Sequence, residues 1–332
     1  MLTFDYLGID VTRRCNLSCA MCIRGDAQNT DVPLSAIETI AKQADRVNSI
    51  VFTGGEPTLN LPAIRYTLES FKKHNVSVKQ IEIKTNGVLQ TEEITSLVKD
   101  WAAYIRPEWR YIGESPVLFS ISKDRYHVGA DPNAAAEYYT SSISECATIL
   151  FADSGDRPVR MGRARKFDEA QIVVPLMKLP RKICLWEHGQ EPACPDLQED
   201  ETKVNAPIEG EIIVVCPLRI TATGHLVPTL LHSLEYAAED EIINEISICD
   251  LAESVDVLGA LRAWNQRIPS SCEDAYLREY FDMAERRVTA MTTEQKQRLV
   301  ATGNALKRFA TTPIGGLATV ALLMGIYNKL KE

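Results

Sequence analysis

The sequence predicts an α/β fold, a parallel sheet covered by helices, joined to a C-terminal segment of different character. Two observations carry this expectation. Short apolar runs alternate with stretches of helical period through the first half of the 332 residues, and strand–helix units in series form parallel sheets. After about residue 190 that alternation gives way to a hairpin pattern and then to helical patterns alone.

The elements follow in order. Phe4–Asp10 (FDYLGID) reads as the first strand, and the loop after it carries three cysteines. A helix is expected from Pro33, with Asp31 as its cap and Leu34, Ile37, Ile40, Ala44 and Val47 on one face. Ser49–Thr53 is a short apolar strand that runs into Gly54-Gly55. Ile64, Leu68 and Phe71 mark the inner face of a second helix, and Val78–Lys84 is a third strand ended by the turn Thr85-Asn86-Gly87. Thr91-Glu92-Glu93 opens a third helix, its early acids suiting the positive end of the helix dipole. Val117–Ser122 is a fourth strand, a helix spans about Ala134–Leu150, and Val159–Met161 is a fifth strand. Right-handed crossovers place every strand's carboxyl end on one edge, where ligands of such sheets bind. The residues to inspect are therefore Cys15–Cys22, Gly54–Pro57, Thr85–Gly87, Ser122–His127 and Gly162-Arg163.

The second half begins with a loop-like stretch, Glu191–Pro207, rich in acids and proline. Two strands are expected next, Glu211–Ile220 and the run His225-Leu226-Val227, joined by a turn at Thr223-Gly224. Helices follow near Ser254–Ile268, Asp274–Met291 and Glu294–Phe309. The tail Phe309–Asn328 has twenty uncharged residues, which touches the length of a membrane span. Its proline, three glycines and several threonines favour a packed helix or an oligomer contact over a membrane anchor.

Composition narrows the function classes. Apolar residues make up 45% and charged residues 24%, an ordinary globular profile. The net charge of −9 disfavours a nucleic-acid substrate or a polybasic membrane patch. Nine cysteines without a secretory signal point to a cytoplasmic chain with metal, cluster or redox chemistry.

Three of these cysteines lie within eight residues, Cys15-Asn-Leu-Ser-Cys19-Ala-Met-Cys22. A structural zinc site takes four ligands, and nothing nearby supplies the fourth, although a distant Cys or His remains an alternative. A four-iron cluster held by three cysteines leaves one iron open. This loop, Gly54-Gly55-Glu56-Pro57 after the second strand and Thr85-Asn86-Gly87 after the third together resemble the signature of the radical S-adenosylmethionine (SAM) enzymes.

The resemblance covers Phe4 to about Arg165. It implies a partial (β/α)6-type barrel in residues 1–168, a linker with closing elements in 169–207 and a hairpin-plus-helices extension in 208–332. Cys15, Cys19 and Cys22 would each hold one iron of a [4Fe-4S] cluster, and the fourth iron would chelate SAM. An electron from an external flavodoxin- or ferredoxin-like donor would cleave SAM to a 5′-deoxyadenosyl radical, which takes hydrogen from a peptide or small-molecule substrate. Met21 departs from the aromatic residue often found before the third cysteine.

The resemblance also assigns the other strand ends. Gly54, Gly55, Glu56 and Pro57 form the SAM-binding turn, the glycines allowing close approach to the SAM ammonium and Glu56 adding negative charge there. Asn86 either holds a polar group of SAM or shapes its turn. Ser122 or Asp124 binds the ribose hydroxyls, unless Asp124 and His127 only brace their loop. Gly162 gives close approach to the nucleoside, and Arg163 pairs with the SAM carboxylate or is an ordinary surface ion-pair residue.

Six cysteines remain. Cys216-Pro-Leu-Arg-Ile-Thr-Ala-Thr-Gly224 is similar to the hairpin that opens SPASM or twitch extensions, but Thr229 stands where that pattern has a further cysteine. A degenerate extension without its cluster is the favoured reading, because the spacing of Cys184, Cys194, Cys216 and Cys249 supports no cluster. Cys216 is a candidate hydrogen-atom donor or an ordinary buried cysteine. The absence of a separate leader-peptide domain weakens a self-contained peptide-modifying role. The second function class is a non-catalytic Fe–S or SAM-binding regulatory protein.

Overall fold

A computed structural model describes residues 1–22, 24–110, 114–152, 163, 182–190, 206–228 and 247–268, and these belong to one folded unit. Five strands alternate with four helices: β1 (Leu2–Thr12), α1 (Leu34–Ala41), β2 (Arg46–Gly54), α2 (Leu61–His74), β3 (Ser77–Thr85), α3 (Glu92–Tyr104), β4 (Val117–Ser122), α4 (Pro132–Ile143) and β5 (Ala147–Ala152). Short strands follow: β6 (Leu185–Glu187), β7 (Ile212–Val214), β8 (Leu218–Ile220), β9 (His225–Pro228) and β10 (Cys249–Asp250). The helix α5 (Val257–Arg267) comes last. All ten strands join one sheet with the order β10-β9-β8-β1-β2-β3-β4-β5, β7 lying beside β1 and β6 beside β7. From β1 to β5 every pairing is parallel, and β8 also runs parallel to β1. The expected α/β class with an unclosed parallel sheet is therefore the observed one.

Each helix start has a local cause. Asn60 caps α2 by accepting from the Ala63 N–H and donates through Nδ2 to the Val11 carbonyl, so one side chain joins the helix to β1. Thr91 caps α3 and Asp131 caps α4, the latter with Pro132 in the first turn. The apolar stripes meet the sheet: Ile64, Leu68, Phe71, Leu97, Val98 and Trp101 are buried against a face carrying Leu7, Ile9, Ile50, Phe52, Ile81, Ile83, Phe119 and Ile121. Burial of this kind supplies most of the stability of a parallel sheet.

The opposite face is polar. By strand alternation it carries Tyr6 and Asp10 of β1, Thr53 of β2, Glu82 of β3, Ser120 of β4 and Arg219 of β8. Ser120 donates to Glu82 at 2.6 Å, and Asp10 lies 2.9 Å from Arg219.

Four expectations need correction. The stretch 134–150 is not one helix: α4 stops at Ile143, the chain turns with the Cys146 N–H on the Ile143 carbonyl, and the β-branched and aromatic run Ala147–Ala152 pairs with β4. The fifth strand is therefore β5, and Val159–Met161 lies outside the described residues. The first helix ends at Ala41, so Ala44 is past it and Val47 belongs to β2, while Leu34 is half exposed. Asp31 caps nothing; its carboxylate makes a two-pronged ion pair with Arg14, and Pro33 precedes the helix. Glu211–Ile220 is two strands because Pro217 has no N–H for a ladder. Phe4 pairs with Val214 and Leu7 with Leu218, so the second strand carries one extra residue over that interval, at the Cys216-Pro217 break.

The helix Ser254–Ile268 is present as α5, tied to the core by Gln43, whose amide contacts the Val255 carbonyl and the Val257 N–H. The helices expected after residue 273 and the uncharged tail lie outside the described residues. Among the described residues no helix is long and apolar enough to cross a membrane.

Glu38 of α1 gathers Lys73 (2.8 Å) and His74 (2.9 Å) from α2, and hydrogen bonds from Lys73 and then His74 hold its carboxyl down to about 2. A depressed carboxylate contributes stability that is complete above the ordinary carboxylate range and is lost as pH falls towards about 2. We expect Glu38→Gln to flatten that acid limb, read from urea unfolding across the same pH range; an unchanged limb would assign acid sensitivity elsewhere.

Candidate functional site

The carboxyl ends of β1 to β4 bring four loops to one edge of the sheet. The first is closed at its base: Arg13 N–H donates to the Thr30 carbonyl, Gln28 N–H to the Arg13 carbonyl and Val32 N–H to the Val11 carbonyl. The segment between, which carries the cysteines, is thus a surface loop on a fixed stem. Arg13 is buried with its guanidinium on Gln28.

Within the loop Cys19 is buried and Cys15 and Cys22 are half-buried. Cys15 Sγ accepts from the Leu17 N–H at 3.5 Å. Burial pushes the Cys19 thiol up to about 11, and the neighbouring Cys15 and Cys22 push in the same direction while Arg163 opposes them. Burial likewise raises Cys15, partly offset by the Leu17 N–H. A cationic centre beside the loop would offset the cost of a thiolate at Cys15 and at Cys19.

The second loop is packed against the first. Gly54 adopts φ +132°, and an added Cβ would overlap the Thr12 carbonyl oxygen; at Gly55 it would overlap the Arg14 carbonyl oxygen. Gly55 N–H donates to Thr12 and Glu56 N–H to Arg14, at 2.7 and 2.8 Å. The glycines therefore serve an approach of the chain to its own cysteine loop, a requirement the sequence reading gave to SAM alone.

Glu56 is buried and points inward. Its Oε1 accepts from Thr58 N–H, Thr58 Oγ1 and Thr85 Oγ1, and its Oε2 from the Asn86 N–H. Burial raises its pKa and these four donors oppose the rise. The carboxylate is thus the tie between the ends of β2 and β3. Pro57 is buried at the start of the short turn Pro57–Asn60. Asn86 does two things: its Oδ1 accepts from the Val88 N–H, shaping the turn, and its Nδ2 donates to Asn16 Oδ1 at 2.7 Å, inside the cysteine loop.

Ser122 closes β4, half-buried at the same edge. Asp124 is enclosed by its own loop, accepting from the Tyr126 N–H (2.8 Å) and lying 2.9 Å from His127 Nδ1. These contacts brace the loop. Arg163 reaches the cysteine loop: its N–H donates to the Cys22 carbonyl and its Nε to the Cys19 carbonyl, both at 2.9 Å. Gly162 lies outside the described residues. Cys216 is not among these loops. It stands at the β7–β8 break, level with the middle of β1, where its Sγ accepts from the Cys184 N–H at 3.1 Å. Cys249 sits on β10 with its thiol pushed up to about 12 by burial, as a small core residue would be.

Sequence reading gave no individual role to Asn16, Thr58 or Thr85, and it missed the ion set formed by Asp10 with Arg24 (2.7 Å) and Arg219 (2.9 Å). Charged residues inside an otherwise apolar strand were the available signal for Asp10 and Arg219.

Residues 9–106 match the family model described as the radical SAM superfamily. The chain carries a radical SAM domain. A GTP 3′,8-cyclase of Chlorobaculum tepidum is 40% identical over 101 residues, 29% of this chain and 30% of that protein. One of Clostridium acetobutylicum is 37% identical over 101 residues, 29% and 31%. The match thus spans less than a third of these curated relatives' own length. Among solved structures, anSMEcpe with bound AdoMet and Kp18Cys peptide aligns with a TM-score of 0.45 at 13% identity, over 81% of this chain and 83% of that one. SuiB of Streptococcus suis bound to the precursor peptide SuiA aligns with a TM-score of 0.32 at 18% identity, over 45% and 32%.

Radical SAM enzymes use a [4Fe-4S] cluster and SAM, and the donor set here fits the cluster. Three thiols share one loop, and among the described residues no three His, Cys, Asp or Glu side chains gather closely enough to hold a single metal ion. Three thiolates from one loop can each take a separate iron.

Because Gly55 is in contact with Arg14 beside Cys15, we expect Gly55→Ala to displace the base of the cysteine loop. Iron and sulfide recovered after anaerobic reconstitution should fall several-fold, and wild-type loading would show that the contact is dispensable.

Proposed function

We propose that the chain is a radical SAM enzyme acting on a polar peptide or small molecule. The observation that carries this is the packing of the loops after β2 and β3 on the loop of Cys15, Cys19 and Cys22 that follows β1, with the end of β4 at the same edge. In this reading the three thiolates hold three irons and leave the fourth to SAM. When bound, the cluster supplies one electron that cleaves SAM, and the resulting 5′-deoxyadenosyl radical takes a hydrogen atom from the substrate.

The chain's own part is placement. The Gly54–Gly55 turn, with Pro57 behind it, would receive the SAM ammonium on its carbonyl groups. Asn86, Ser122 and Asp124 line the rim where the nucleoside lies. Glu56 acts one layer beneath, holding the turn at the height the cofactor needs. The polar face with Tyr6, Asp10, Glu82, Ser120 and Arg219 faces the substrate, which supports a polar or charged molecule. The matched relatives are named for a reaction on GTP, and a small polar substrate agrees with that face. An external one-electron donor of flavodoxin or ferredoxin type completes the cycle.

The test is product formation. Anaerobically reconstituted protein, reduced with dithionite in the presence of SAM, should release 5′-deoxyadenosine and methionine. Cys19→Ala should abolish both the cluster's visible absorbance and the products. A fully loaded cluster that binds SAM without cleaving it would favour the regulatory reading instead.

A further inference from the structure

We infer that Arg163 is a positioning residue for the cysteine loop, clasping it through the Cys19 and Cys22 carbonyls and keeping a positive charge beside the cluster. The inference rests on the reading of that loop as a cluster site. It departs from the expectation that Arg163 pairs with the SAM carboxylate.

The geometry is specific. Arg163 comes from 144 residues beyond Cys19 along the chain, yet both its main chain and its side chain end on this loop. Its N–H donates to the Cys22 carbonyl and its Nε to the Cys19 carbonyl, each at 2.9 Å. The Cys19 carbonyl also accepts from the Cys22 N–H at 3.1 Å, so both of its lone pairs are used. One residue thereby fixes the spacing of two of the three ligands.

The charge follows from the same placement. The guanidinium is largely covered, at 22% side-chain exposure, and its carboxylate partner Asp26 is 90% exposed, so water screens that pair. A reduced cluster carries one more negative charge than an oxidised one, and net charge near a cluster helps set its potential. A covered cation here stabilises the reduced state, the state from which SAM is cleaved.

Four proteins test this: wild type, Arg163→Met, Arg163→Lys and Asp26→Asn, each reconstituted anaerobically and titrated with dithionite and redox mediators in the absence of SAM. Electron paramagnetic resonance follows the reduced cluster, and SAM affinity is measured separately. We expect Arg163→Met to lower the midpoint potential and alter the resonance line shape before SAM is added. Arg163→Lys should restore the potential, because it restores charge, but not the line shape, because it lacks the Nε donor. Asp26→Asn should match wild type. A wild-type potential and line shape in SAM-free Arg163→Met overturn the inference, and a loss confined to SAM affinity returns Arg163 to the carboxylate role. If Arg163→Met assembles no cluster, Arg163→Lys decides: wild-type potential with an altered line shape supports the clasp, and identity with wild type in both overturns it. Wild-type protein that takes up no iron and sulfide overturns the cluster reading itself, and is seen before any variant is compared.

Discussion

One buried carboxylate holds the working edge of this protein together. Glu56 is 1% exposed and accepts four hydrogen bonds, two from Thr58 and one each from Thr85 and Asn86. A buried carboxylate without such donors would be costly, and with them it becomes a rigid joint between two strand ends. The two residues before it lean on the backbone of Thr12 and Arg14, and the residue it holds, Asn86, reaches Asn16. The loops after β1, β2 and β3 are thus one unit, and the cysteine loop cannot shift without moving the turn assigned to SAM.

That unit stands on a sheet with two unlike faces. The helix-covered face is apolar and supplies cohesion. The other carries charge where burial makes charge expensive: Asp10 is 2% exposed and lies against Arg24, at the far end of the cysteine loop, and Arg219, on β8. A buried ion set of this kind is weak as a source of stability compared with apolar side chains of the same volume. It sits on the polar face, where it links the cysteine loop to β8.

Much of the fold was legible because local pattern and tertiary demand agree in this chain. Val117–Ser122 is apolar enough to be a strand at sight, and Ile64, Leu68 and Phe71 sit on the covered face that their spacing implies. Legibility failed where a tertiary partner decides. Nothing in Gly54-Gly55 says that the Thr12–Arg14 backbone approaches the turn as closely as it does. At Glu56 the charge is visible in the sequence, and the four donors that hold it are not. The sequence leaves Arg163 between a carboxylate partner and a surface ion pair, and its contact with a carbonyl 144 residues earlier leaves no trace in spacing. The broken strand at Cys216-Pro217 was foreseeable from proline chemistry alone, but Cys184, which comes to lie beside it, was not.

The central claim is that three cysteines at the end of β1 hold a cluster with one iron open to SAM. Mössbauer spectroscopy of protein reconstituted with iron-57 tests it most directly. The account expects four irons per cluster, with one of them changing its spectrum when SAM is added and three remaining as they were. A cluster whose irons all ignore SAM, or protein that holds zinc and no iron, would contradict it.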